Sequence, residues 1–177
     1  MLKLPKMKFN FKNLIKIGIF PLVVYLLNDI FCRFWFGFYV DHGVDSYFHF
    51  VGGVSIAFAA LEAFKVLEEN NFIEIKRKLV KAFLVISIVA LAAVLWEIYE
   101  FILDLISHTN AHQPSLFDTM KDMILGLIGG TIYSSLNFLR SESTDGARER
   151  NTLPDVLGTA NPTYDTLKPD SETRMRN

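Results

Sequence analysis

Four stretches of this chain, at about residues 14–38, 46–67, 80–104 and 118–139, are apolar over the length of a bilayer crossing, and nothing else in the sequence restricts the fold as strongly. An α-helix rises 1.5 Å per residue, so about 20 apolar residues cross the hydrocarbon core. Within lipid the backbone finds no water to bond, which leaves helices or closed barrels as spanning structures. Continuous apolar runs of this length predict helices. The expected fold class is all-α, a polytopic membrane bundle of four transmembrane helices followed by a disordered C-terminal tail. Composition agrees, because 51% hydrophobic residues and 16 Phe in 177 residues exceed what an ordinary soluble domain carries.

The first stretch, LIKIGIFPLVVYLLNDIFCRFWFGF, is longer than the core of a signal peptide and has no small-residue cleavage site after it. It is expected to be a retained helix, kinked near Pro21. The fourth, DTMKDMILGLIGGTIYSSLNFL, is rich in Gly and Ser, which lets helix backbones approach closely in lipid. After Arg140 the chain becomes polar and charged and is broken by Pro154, Pro162 and Pro169. Such a segment cannot bury enough apolar surface to offset its ordering entropy. Three regions result: a basic cytoplasmic N-terminus at 1–13, a transmembrane domain at 14–139 and a disordered cytoplasmic tail at 140–177.

Orientation is read from basic residues in short flanks, which stay on the cytoplasmic side. Lys3, Lys6, Lys8, Lys12 and Lys16 lie at the start of the first span, and Lys76, Arg77, Lys78 and Lys81 fill the second connection. The first and third connections, YVDHGVD and SHTNAHQPSLF, hold no Lys or Arg. Both termini are therefore expected inside a cell membrane. The second connection, EENNFIEIKRK, is expected to form a short amphipathic helix on the inner surface. A formal net charge of −1 argues against nucleic acid as a partner. The single cysteine, Cys32, excludes an internal disulfide framework and reads as an inert packed thiol.

This topology places the intramembrane charges at one depth. Glu97, Glu100 and Asp104 occupy the last two turns of the third span, Asp45 and His49 the start of the second, and Asp118 and Asp122 the start of the fourth. Asp29 and Arg33 are an i,i+4 pair near the end of the first. At about 100° per residue, Glu97, Glu100 and Asp104 fall within about 60° of one another. Asp45, His49 and Gly52 share one face of the second span, and Asp118, Asp122 and Gly129 one face of the fourth. Charged side chains in lipid cost about 2.5–3.5 kcal/mol or more at mid-helix, so they face a bundle interior and mark function. Asp45, Asp104 and Asp118 individually fit solvated helix ends. Glu97, Glu100, His49 and Asp122 lie too deep for that reading.

Crowded carboxylates repel unless a cation intervenes. Arg33 is one candidate cation, suited to a carboxylate or to a substrate phosphate. A bound divalent metal is the other. One imidazole among carboxylates suits magnesium, manganese, iron or zinc, with His49, Glu97, Glu100, Asp118 and Asp122 as candidate ligands. Glu97, Glu100 and Arg33 are the candidate catalytic groups, and spacing alone does not separate ligand from base. Hydrogen-bonded glue between helices, with no ligand, is the alternative. His108, His112 and Gln113 are expected to be solvated loop residues, and neither Cys32 nor any serine sits in a recognisable nucleophile motif.

The segments DSYFHFVGG, LWEIYEFILD and QPSLFDTMKDMILGLIGG together resemble the bacterial membrane proteins of the DUF2238, or YjdF-like, family, and more distantly VanZ-like proteins. The matching elements are Asp45 with His49, Trp96-Glu97 with Glu100, and Gln113 upstream of Asp118-Thr119 and Asp122-Met123. The resemblance covers residues 41–133 and implies a polytopic helical membrane protein without implying a reaction.

Three readings of function follow. One is a metal-dependent hydrolase or transferase acting on a lipid-linked or anionic headgroup substrate at the outer leaflet. Another is a proton- or cation-coupled transporter, although the inner halves offer only Glu62 and Lys65, which read as a boundary pair. The third is a non-catalytic scaffold, a homo-oligomer packed through Gly126, Gly129 and Gly130.

Overall fold

A computed structural model describes residues 11–35, 37, 43–108 and 112–152. Its long helices are α1 (Phe11–Phe34), α2 (Val44–Glu69), α3 (Lys78–Ser107) and α4 (Leu116–Thr152). All four are long and apolar enough to cross a membrane, the fourth over Leu116–Ser141. Each expected span is present; the helices start two or three residues early, the second and third end two or three residues late, the first ends at Phe34 and the fourth continues to Thr152. Lys3, Lys6, Lys8 and most of the first connection lie outside the described residues, as does the tail beyond Thr152. Helix α4 continues past residue 140 as far as Thr152, and the rest of the expected tail lies outside the described residues. Runs such as ARER have good intrinsic helix propensity.

Helix α1 runs unbroken through Pro21, whose missing N–H leaves the carbonyl of Ile17 without its usual intrahelical donor. Helix α2 ends in a left-handed turn at Asn71, with φ of 56°. The amide of Phe72 donates to the carbonyl of Leu67 at 3.0 Å and that of Asn71 to Glu68 at 3.0 Å, the paired bonds of a Schellman stop. Residues 73–77 are then irregular, so the amphipathic helix expected in this connection does not form. Two adjacent asparagines end α2, and five residues remain before α3, too few to nucleate a helix. Ser115 caps α4, its Oγ accepting from the amide of Asp118 at 3.2 Å.

Helix α2 packs against α1 on one side and α3 on another. Lys16 of α1 meets Glu62 near the end of α2 at 2.6 Å, and Glu68 meets Lys81 at the start of α3 at 2.7 Å. Glu62 thus bonds across helices to Lys16 where spacing suggests Lys65, because α1 places its first turns beside the last turns of α2.

Helix α4 closes on α2 and α3 through glycines. A Cβ on Gly53 would collide with the backbone of Gly126, one on Gly129 with the backbone of Phe50, and one on Gly130 would lie 2.7 Å from Val89 Cγ1. These glycines are committed inside the bundle, so an oligomer would use other surfaces. Ala57, Ala60, Val85 and Val89 form the small apolar core. Outside, Leu91 and Leu95 are 60% and 56% exposed, whereas Glu100 and Asp122 are 4% and 2% exposed. Apolar groups outside and charged groups inside is the arrangement that lipid, as solvent, selects.

Candidate functional site

The buried charges gather where the ends of α1 and α3 meet the beginnings of α2 and α4. His49 stands on the second turn of α2 with its side chain 4% exposed. Its Nδ1 lies 3.5 Å from Glu97 Oε1, and its Nε2 lies 3.6 Å from Asp45 Oδ1 and 3.9 Å from Glu100 Oε2. Two groups of residues bring ligand atoms within 4.8 Å of one another: Asp45, His49 and Asp122, and His49, Glu97 and Glu100. Both contain His49. The helical spacing explains this convergence, since Glu97 and Glu100 are one turn apart on α3, as are Asp45 and His49 on α2.

Each of three carboxylates is anchored through one oxygen. Gln113 Nε2 donates to Glu97 Oε2 at 2.9 Å, Trp96 Nε1 to Glu100 Oε1 at 2.8 Å, and Ser46 Oγ to Asp122 Oδ1 at 2.9 Å. For both glutamates the other oxygen is the one that faces His49. His49 Nε2 and Glu97 Oε1 are buried with no hydrogen-bond partner. An unsatisfied buried polar atom costs about 1–3 kcal/mol, so each of the two marks a place for a missing partner, Nε2 on the side of Asp45 and Glu100 and Oε1 on the side of Nδ1. The separations have a chemical meaning. Two ligand atoms each about 2.1 Å from a tetrahedral ion lie about 3.4 Å apart, and 3.5–3.9 Å is too long for a good hydrogen bond.

The remaining candidates stand elsewhere. Asp118 sits on the first turn of α4 in an ion pair with Lys121 and is not in either ligand group. Arg33 is 72% exposed, and its Nε donates to both oxygens of Asp29 at 2.8 Å. The i,i+4 geometry of α1 pairs the guanidinium with a carboxylate of its own helix.

The loop preceding α4 departs from its expected solvated character. Asp104, 6% exposed, accepts from the amides of His112 and Gln113 at 3.1 and 2.8 Å, and lies 2.8 Å from His112 Nδ1. With its backbone held there, Gln113 turns inward and donates also to the Glu97 carbonyl at 2.8 Å. Asp104 is therefore a loop anchor where depth alone suggested a solvated helix end. His112 Nε2 lies 4.0 Å from Cys32 Sγ. Gln113 and Ser46 are the contributors that spacing missed. Gln113 lies outside every span and Ser46 has no charge, so neither pattern used to find the site could register them.

Beside His49 a cavity of about 270 Å³ runs between α1, α2 and α3 and reaches Gly126 of α4, with Asn28, Asp45, His49 and Trp96 at one end and Pro21, Ile56 and Val89 at the other. Trp96 packs edge-on to His49 at 6.3 Å and to Tyr25 of α1 at 5.8 Å.

The family described as "Predicted membrane protein (DUF2238)" matches residues 2–142, most of the chain, including every residue of this cluster. No curated protein and no solved structure matches the chain.

Proposed function

The chain belongs to the DUF2238 family of predicted membrane proteins, and we propose that its cluster holds one divalent metal ion and serves a hydrolase or transferase reaction on a lipid-linked substrate at the outer leaflet. The observation that carries this reading is His49: a buried imidazole with an unpartnered Nε2 among carboxylate oxygens at ligand-to-ligand separations. Magnesium, manganese, iron and zinc all suit one nitrogen with several oxygens. When bound, such an ion would lower the pKa of a water molecule and polarise a phosphoryl or carbonyl oxygen.

The chain's own groups divide the remaining work. His49 supplies the nitrogen. Gln113, Trp96 and Ser46 hold one oxygen of Glu97, Glu100 and Asp122, an outer shell of the kind that orients ligands and limits their motion. A carboxylate of the ring that does not ligate is placed to take a proton from water, Glu100 being the deepest buried of the glutamates. The outward placement rests on charge: Lys12, Lys16, Lys76, Arg77, Lys78 and Lys81 cluster at the opposite end of the bundle. An ion path would instead need polar groups through the core of Ala57, Ala60, Val85 and Val89.

Manganese titration of purified, chelator-treated protein followed by electron paramagnetic resonance tests the reading. Saturation at one ion per chain in wild type, with affinity lost in His49→Ala and retained in Asp118→Asn, is the expected result. Loss of free manganese signal that is equal in all three proteins would remove it.

A further inference from the structure

The cavity beside His49 has a size and a lining that name what enters it. Its walls come from Pro21 to Asn28 on α1, Asp45 to Ile56 on α2 and Val89 to Trp96 on α3, with Gly126 of α4. The windows on α1 and α3, and the part of the α2 window from His49 down, are seven residue steps, which at 1.5 Å per residue is about 10.5 Å. A hydrocarbon chain with C–C bonds of about 1.5 Å advances about 1.3 Å per carbon, so about eight carbons fill that length. The cavity's volume of about 270 Å³ has room for a chain of that length.

Water is a poor occupant. An ordered water needs two to four polar partners, and between the two ends the walls offer little that is polar. The hydroxyl of Ser55 is already spent on the carbonyl of Gly52 at 2.7 Å. The carboxylate and the imidazole of the lining, Asp45 and His49, stand with Asn28 at the upper end. A slot with one polar end and apolar walls, set among helices of membrane-spanning length, matches an amphiphile with a single linear tail.

We propose that this cavity seats about the first eight carbons of a linear hydrocarbon chain of the substrate lipid, with the chain's polar group held beside His49 and Asp45. The inference deepens the metal reading by naming the substrate's apolar part, and it rests on that reading for the site's chemistry alone. Gly52 sets the bore. A Cβ there would meet nothing within 4 Å, so a larger side chain at this wall occupies space the chain would use without displacing a neighbour.

Trp96 in the wall makes the proposal measurable, since the chain has two tryptophans and the other, Trp35, can be replaced. The full chain carrying Trp35→Phe, in lipid nanodiscs, would be titrated with 2-bromo-octan-1-ol while tryptophan fluorescence is recorded. Saturable quenching is expected, competed by unbrominated alkanols whose potency rises from four to about eight carbons and then levels. Gly52→Leu, and separately Ala92→Leu, should weaken half-saturation at least tenfold while metal content stays at the wild-type value. Linear quenching unaffected by either substitution, or competitor potency rising at an unchanged slope through twelve carbons, is bilayer partitioning and overturns the proposal. Saturable quenching in a protein that binds no metal keeps the tail site and removes the metal reading. Stoichiometric metal with linear quenching does the reverse.

Discussion

Glu97 divides its carboxylate between two neighbours: Oε2 accepts from Gln113 Nε2 at 2.9 Å, while Oε1 lies 3.5 Å from His49 Nδ1 with no donor of its own. One oxygen is fixed by a loop and the other is left facing the imidazole. The loop's conformation is thereby written into the position of the buried site, and this link makes the first prediction. Gln113→Ala should leave the bundle folded but weaken divalent-metal affinity by about 10–100-fold, the usual effect of removing an outer-shell partner. Competition against a fluorescent chelator measures it, and an unchanged affinity would detach the loop from the site.

Asp104 holds that loop. It accepts from the amides of His112 and Gln113, so Asp104→Ala strands two donors at a cost of about 1–3 kcal/mol each where they stay buried. Faster amide exchange confined to residues 112–116 is the expected signature, with metal affinity falling alongside that of Gln113→Ala. Protection equal to wild type at Gln113 would contradict the anchoring role.

Adjacent glycines should differ sharply. Gly53→Ala drives a methyl into the backbone of Gly126 where α2 and α4 cross, whereas Gly52→Ala meets open space. Overpacking of this kind costs about 1–3 kcal/mol and more where backbone is the obstacle. Thermal unfolding in detergent should show a lowered Tm for Gly53→Ala and one near wild type for Gly52→Ala. Equal values would mean that α4 does not close on α2 through these residues.

Arg33 tests the boundary of the site. Its guanidinium is exposed and spent on Asp29, an arrangement that solvent screening leaves weak. Arg33→Ala should therefore leave metal affinity and Tm within error of wild type. A large loss of affinity would place Arg33 in the site after all.

The spans were legible because lipid imposes two simple conditions, length and apolarity, that any window of sequence reveals. His49, Glu97, Glu100 and Asp122 were legible for a related reason. A charge that deep in a span has few places to point, and helical spacing shows which charges share a face. Gln113 was picked out only through the family resemblance, and its reach into the bundle was not legible, because it depends on Asp104 gripping two loop amides, a contact between segments that no periodicity encodes. Nor was the placement of Arg33. Its pairing with Asp29 follows from spacing, but whether that pair looks inward is decided by how α1 leans on α2. The glycines of α4 announced close packing, and only the fold shows that Gly53 and Phe50 of the same chain are what they pack against.

Orientation can be settled with the chain's single cysteine removed. In a Cys32→Ser background, Pro114→Cys is expected to react with a membrane-impermeant maleimide on intact cells, and Lys76→Cys only after permeabilisation. The opposite pattern would turn the site toward the cytoplasm.

The most direct measurement of the central claim is elemental analysis of the gently purified full chain beside its His49→Ala variant. The account predicts about one divalent ion per wild-type chain and a near-complete loss in the variant, with both proteins folded by circular dichroism, because His49 is common to both ligand groups. Wild-type protein without stoichiometric metal, whose Tm does not rise when magnesium, manganese, iron or zinc is added, would contradict it.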